Sequence, residues 1–151
     1  MILPTPTLTL TLTLTLTAGT ISPAGSTAYL DGWTITLLLA GFLTLGVCVV
    51  SGLRGRGPGR VTLGITAALQ VVVTVVFGSY LLRTLEGQRP VGPSWELWAY
   101  LVTVLMVPAV AWLWTRSDQS RWGTFVLALA GFVVAVMGAR CAQIWHGVGY
   151  L

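Results

Sequence analysis

Four long apolar stretches, each of about 20 residues, run through the chain and are separated by short polar connections. They cover residues 33–53, 61–82, 95–114 and 122–145. A helix needs about 20 apolar residues to cross the hydrocarbon core of a bilayer, so each stretch is long enough to span it. The pattern predicts an all-α, polytopic membrane protein, a four-transmembrane-helix bundle over residues 29–151.

The segment ahead of this domain has a different character. Residues 1–28 carry no charged side chain, and Thr7 to Thr17 alternates Thr with Leu without a break. A lone strand has no partner here, and Pro4 and Pro6 disfavour a helix. No Lys or Arg precedes the apolar run, which disfavours a secretory signal. We expect a low-complexity, disordered tail; a cleaved or inserted signal-like segment and a misassigned start site are the alternatives.

Composition supports the membrane prediction. Of 151 residues, 55% are hydrophobic and only 8% are charged, whereas soluble domains average about 25% charged residues. The net charge of +4 would suggest nucleic-acid binding in a soluble protein, but the eight cations are all Arg and lie mostly between the apolar stretches. We therefore expect the lipid bilayer as a partner, and no nucleic acid. The spans leave no room for a soluble catalytic domain.

The arginines also predict the orientation, because cations in short loops resist translocation across the membrane. Five lie in the first and third connections, and three lie on the other side of the membrane. The first group is Arg54, Arg56, Arg60, Arg116 and Arg121, and the second is Arg83, Arg89 and Arg140. This bias predicts a multi-pass protein of the cell (plasma) membrane with both termini outside the cytoplasm.

The fourth span carries small residues at alternating spacings of four and three, which places them along one helix face. They are Thr124, Ala128, Gly131, Ala135, Gly138 and Ala142. Lipid supplies no hydrophobic drive for helices to associate, so a helix-packing seam of this kind serves close backbone approach. We expect the seam to pack against a neighbouring span; the alternative is a second protein or a second copy of the chain.

The second span carries polar residues at every fourth position, namely Thr62, Thr66, Gln70 and Thr74. A Thr hydroxyl can bond a carbonyl of its own helix, but an amide near mid-membrane needs a partner across an interface or in a hydrated cavity. Thr66, Gln70 and Thr74 are therefore candidates for an interhelical polar site or, alternatively, for a solute or ion path. Pro108 in the third span predicts a kink.

A second polar group is expected at the outer end of the fourth span. Arg140, Gln143 and His146 follow at three-residue intervals, and Glu96 at the outer start of span three is within reach of them. An ion pair between Arg140 and Glu96 would neutralise a cation at the hydrocarbon edge. The group predicts either a small polar site at the outer mouth or a snorkelling Arg beside a hydrated terminal His.

The reactive residues exclude several chemistries. His146 is the one His, which excludes bis-His haem ligation within the chain. Cys48 and Cys141 are expected about 20 Å apart across the membrane, too far to pair. Cys141 and His146 supply too few donors for zinc. No Ser-His-Asp set or Gly-rich phosphate loop is visible, and all acids lie at span ends or in connections. We expect no cofactor, no metal site and no catalytic residue.

The two ends of the last span resemble those of a known set of membrane proteins. Its Arg-Trp-Gly opening at residues 121–123 and its Gln-Ile-Trp closing at residues 143–145 resemble the last span of small actinobacterial integral membrane proteins. The resemblance covers about the last quarter of the chain and, more loosely, the four-span layout. That set has no assigned activity, so the resemblance implies location and architecture and transfers no catalytic residue.

These observations lead to two function hypotheses. The first is a membrane protein without catalytic activity, an accessory or assembly subunit of a membrane complex or a homo-oligomer, whose partner is another membrane protein or a second copy of the chain. The alternative is a small-solute transporter or channel that uses the Thr66, Gln70 and Thr74 stripe with Arg140 at its outer mouth. A lipid-modifying enzyme is disfavoured because no nucleophile or metal set is present.

Overall fold

The computed structural model describes residues 30–148, which form four α-helices with no strand among them. They are α1 (Gly32–Leu53), α2 (Arg60–Leu85), α3 (Ser94–Ser117) and α4 (Arg121–His146). Each helix contains one predicted apolar span and extends it by a few residues at most, so the all-α, four-helix prediction is confirmed. The predicted tail, residues 1–28, lies outside the described residues.

All four helices are long and apolar enough to cross a bilayer. The shortest has 22 residues and the longest have 26, which corresponds to lengths of about 33 to 39 Å at 1.5 Å per residue. The hydrocarbon core of a bilayer is about 30 Å thick. The chain is therefore a multi-pass integral membrane protein.

Local sequence determines where α1 and α4 begin and where α4 ends. The Asp31 carboxylate accepts a 2.8 Å hydrogen bond from the backbone N–H of Thr34 and caps α1. The Ser120 hydroxyl accepts a 3.2 Å bond from the backbone N–H of Trp122 and caps α4 in the same way. Gly147, with a φ of 70°, ends α4 in the left-handed conformation that glycine adopts without strain.

The helices run alternately up and down and form a ring in chain order, which closes where α4 meets α1. The helix α4 packs most extensively, first against α1 and then against α3, whereas α2 contacts its neighbours less closely. Leu69, Leu101 and Val134 are fully or almost fully buried between the helices. A cavity beside Leu101 measures only about 10 Å³, which is barely room for one water molecule. The middle of the bundle is thus packed by side chains.

All six residues of the helix-packing seam are buried within the single chain, and α1 covers Gly131, Ala135 and Gly138. A Cβ placed on Gly131 would lie 2.8 Å from the carbonyl oxygen of Gly41, and one placed on Gly41 would lie 2.9 Å from the Cβ of Ala135. Gly138 is covered in the same manner by Leu37. At these three positions α1 therefore occupies the face, which agrees with the expected packing against a neighbouring span.

Candidate polar sites of the membrane domain

Gln70 links α2 to α3 near the middle of the bilayer. Its Nε2 donates a 3.2 Å hydrogen bond to the backbone carbonyl of Leu105. Gln70 is only partly buried, and it lies near the midpoint of α2. A hydrogen bond between helices at this depth has little competition from water, so it holds two helices that otherwise pack loosely.

Pro108 disturbs the turn of α3 that contains the acceptor. A proline has no N–H, so the carbonyl of Val104, four residues earlier, loses its helical donor, and the proline ring crowds that turn. Leu105 is the next residue in that turn, and its carbonyl accepts the hydrogen bond from the Gln70 amide. Neighbouring helices commonly satisfy backbone groups near such a proline in membranes. α3 continues as one helix through Pro108.

The other half of the Gln70 amide is unsatisfied. Its Oε1 is buried and has no hydrogen-bond partner, the one such side-chain atom among residues 30–148. Gln70 borders a groove of about 360 Å³ on the surface between α2 and α3, called here the α2–α3 groove. Its lining is apolar apart from one Thr and this Gln, and consists of Thr66, Ala67, Gln70, Pro108, Ala109, Trp112 and Leu113. A buried acceptor in an apolar groove is costly unless a donor reaches it.

The structure separates the three polar positions predicted on span two. Thr66 is buried and donates 2.8 Å to the carbonyl of Thr62, whereas Thr74 is exposed and donates 2.8 Å to the carbonyl of Gln70. A step of four residues turns about 40° beyond one full helical turn, so the stripe drifts around the helix. Thr66 and Gln70 share the α2–α3 groove, but Thr74 is not among the residues that line it.

The structure brings three members of the predicted outer group together. Arg140 Nη2 lies 3.6 Å from Glu96 Oε1, and Arg140 Nη1 donates a 3.4 Å bond to Gln143 Oε1. The Arg140 side chain is 40% exposed and that of Glu96 18% exposed, which limits what the ion pair contributes to stability. His146 Nδ1 lies 2.9 Å from the carbonyl of Ala142 on its own helix.

A second ion pair at the same end was not predicted. Arg83 Nη2 lies 3.9 Å from Asp31 Oδ2, so the end of α2 is tied to the start of α1. The Arg83 guanidinium also lies 5.7 Å from the Tyr80 ring centre and 5.8 Å from that of Trp145, within cation–π range. The sequence contained a signal for this pair. Asp31 precedes the first predicted span and Arg83 follows the second, so both lie at the end of the bundle opposite the loop that joins these two spans.

At the opposite end of the bundle, side-chain to backbone hydrogen bonds order each of the two loops. Thr124 Oγ1 donates a 3.0 Å bond to the backbone carbonyl of Arg56, which joins α4 to the α1–α2 loop. In the α3–α4 loop, hydrogen bonds from the hydroxyl and the backbone N–H of Ser120 hold the pKa of Asp118 below its usual value. Both loops are therefore ordered by side-chain to backbone bonds.

Both cysteines are buried and unpaired. Within residues 30–148, no group of three His, Cys, Asp or Glu side chains is placed to hold a metal ion. The only carboxylates with arginine partners in ion pairs are those of Asp31 and Glu96, again within that range.

Comparison of the chain with protein-family models, with curated proteins and with solved structures gave no match.

Proposed function

We propose that this chain is a membrane protein without catalytic activity of its own, acting as an accessory or assembly subunit that binds a transmembrane helix of a partner. The observation that carries the proposal is the unsatisfied Gln70 Oε1 beside the α2–α3 groove. The partner helix belongs to another membrane protein or to a second copy of the chain, and the experiment below separates the two.

An acceptor left unsatisfied in hydrocarbon destabilises the protein. A polar group buried without a hydrogen bond costs several kcal/mol, roughly 2–7 depending on the reference state. A partner helix whose hydroxyl or amide donor reaches Gln70 Oε1 would meet this need. Ala67 and Leu113 line the groove, and Leu113 is 60% exposed, so a helix can approach from the lipid side.

We place the contact with the partner on the α2–α3 groove and not on the helix-packing seam of α4. The seam of α4 is covered by α1 and is closed to a partner while the bundle is folded. By contrast, α2 packs loosely and leaves a wide apolar face toward lipid, as the exposure of Val71 and Val75 illustrates. A partner helix placed there would bury apolar surface on both α2 and α3.

The transport alternative has less support. A solute path along α2 needs Thr66, Gln70 and Thr74 to face one continuous space. Thr66 is buried, Thr74 is exposed and does not line the α2–α3 groove, and both hydroxyls bond their own helix. The absence of catalysis is supported by the placement of Asp31 and Glu96, each of which pairs with an arginine.

The test is site-specific photo-cross-linking in native membranes. A photo-reactive amino acid at position 67 or 113 should trap one discrete protein, and one at position 39 on the lipid face of α1 should trap only lipid. Gln70→Leu should abolish the protein adduct, whereas Thr74→Val, which removes a self-satisfied hydroxyl, should leave it intact. Differently tagged copies expressed together show whether the trapped protein is a second copy. Adducts with lipid alone at positions 67 and 113 would contradict the proposal.

A further inference from the structure

A second groove lies on the outer surface of α1, away from the α2–α3 groove. Its volume is about 510 Å³, and it extends from Phe42 in the middle of α1 to the α1–α2 loop. Its walls are apolar and include Phe42, Leu43 and Val50, which are 46% to 61% exposed. We call this surface the α1 groove.

Gly46 forms the floor of the α1 groove. Phe42, Gly46 and Val50 are spaced four residues apart, so a residue without a side chain lies between two large ones on nearly the same helix face. A Cβ placed on Gly46 would meet no atom within 4 Å. The absence of a side chain at Gly46 therefore leaves open space on the lipid-facing surface of α1. Unlike Gly41 and Gly131, Gly46 is not required by close contact with another helix.

The length of the α1 groove corresponds to one leaflet. From Phe42 to Arg54 the chain advances 12 residues, about 18 Å along the helix axis. Half of the hydrocarbon core is about 15 Å thick. An acyl chain that enters at the loop end would thus reach the middle of the bilayer at Phe42.

The loop end of the α1 groove is cationic. Arg54 and Arg56 both line it and are exposed, and neither forms an ion pair with any residue between 30 and 148. Gly55 between them has a φ of 71°, which reverses the chain and keeps both arginines beside the groove. The backbone of Arg56 is anchored by Thr124. Two guanidinium groups on an ordered turn suit a phosphate, which arginine binds through paired N–H donors.

We propose that the α1 groove binds an anionic glycerophospholipid of the leaflet at the α1–α2 loop. The phosphate lies against Arg54 and Arg56, and one acyl chain lies over Gly46. Basic pockets on membrane-spanning helices bind anionic head groups by the same charge complementarity. This site is independent of the partner helix proposed for the α2–α3 groove.

The test uses the purified, delipidated full chain in detergent, titrated with phosphatidylglycerol or with phosphatidylcholine of the same acyl chains and monitored by native mass spectrometry. The wild type should bind phosphatidylglycerol more tightly. The double variant Arg54→Gln and Arg56→Gln should bind it about thirtyfold more weakly. Arg121→Gln with Arg116→Gln, which removes the same charge from the other loop at this end, should change binding far less. Equal weakening by both pairs would overturn the site.

The acyl chain is tested separately. Gly46→Leu fills the α1 groove without altering its charge and should weaken phosphatidylglycerol binding, while Gly64→Leu, also at an open glycine position but on α2, should not. Glycerol phosphate, which has the head group without the chains, should compete poorly. If Gly46→Leu binds as the wild type does, or if glycerol phosphate displaces the lipid at equal concentration, the proposal is wrong. Helical content and melting temperature in lipid-free detergent serve as the folding control for all variants.

Discussion

The side-chain amide of Gln70 on α2 donates to the backbone carbonyl of Leu105 on α3, over a distance of 3.2 Å and three residues ahead of Pro108. The acceptor lies in the helical turn that Pro108 disturbs. The bond therefore ties α2 to α3 at that turn.

The contribution of Gln70 should depend on Pro108. In a Pro108→Ala background the carbonyl of Val104 regains its helical donor and the turn that holds the Leu105 carbonyl becomes regular, so Gln70→Leu should lose less stability there than in the wild type. We expect a coupling free energy of about 1 kcal/mol, the usual size for hydrogen bonds between helices in membranes. A double-mutant cycle on the free energy of unfolding in mixed micelles measures it. Additive effects of the two substitutions on the free energy of unfolding would show that the two residues are not coupled.

Gly131→Ala should destabilise the bundle. Its new methyl group would lie 2.8 Å from the Gly41 carbonyl oxygen and 2.9 Å from the Leu45 backbone nitrogen, so α1 and α4 must move apart. Overpacking of this kind costs about 1–3 kcal/mol. Gly78→Ala is the matched control, because nothing lies within 4 Å of that position, and its stability should not fall. Thermal unfolding in detergent compares the two, and equal melting temperatures would contradict the α1–α4 packing described above.

Thr124→Val should loosen the α1–α2 loop while leaving the helices in place. It keeps the shape of the buried side chain but removes the 3.0 Å bond to the Arg56 carbonyl, at a cost of about 1 kcal/mol. Hydrogen exchange of the loop amides should become faster. Thr103→Val provides the comparison, since that hydroxyl is exposed and bonds its own helix at Ala99. Unchanged exchange in Thr124→Val would mean that the loop is held by other contacts.

The orientation predicted from the arginines can be tested with introduced cysteines. Both native cysteines are buried, at 0% and 2% exposure, so they should give little background. Gln88→Cys lies in the α2–α3 loop and Gln119→Cys in the α3–α4 loop, and both positions are exposed. A membrane-impermeant maleimide applied to intact cells should label the first variant and not the second. The reverse pattern would place both termini in the cytoplasm.

The sequence by itself determined the four spans and nearly all their boundaries. The reason is that lipid demands about 20 apolar residues for every crossing, and that an interrupted run cannot satisfy its backbone there. Single residues such as Asp31 and Ser120 then set the helix starts through short-range bonds. The sequence also indicated that Gln70 needs a partner outside its own helix and that Glu96 and Arg140 lie close together. Both inferences follow from the depth of each residue in its span, which can be counted from the span ends.

Only the tertiary structure decided what each helix face meets. Lipid is as apolar as a leucine side chain, so hydrophobicity does not distinguish a face that packs on a helix from one that packs on lipid. The seam of α4 therefore left its partner open until α1 was seen to cover Gly131. For the same reason the sequence did not distinguish Gly41 from Gly46. Close contact with α4 excludes a side chain at Gly41, whereas the missing side chain of Gly46 opens a groove. The pairing of Asp31 with Arg83 likewise depends on which helix ends become neighbours in the folded bundle.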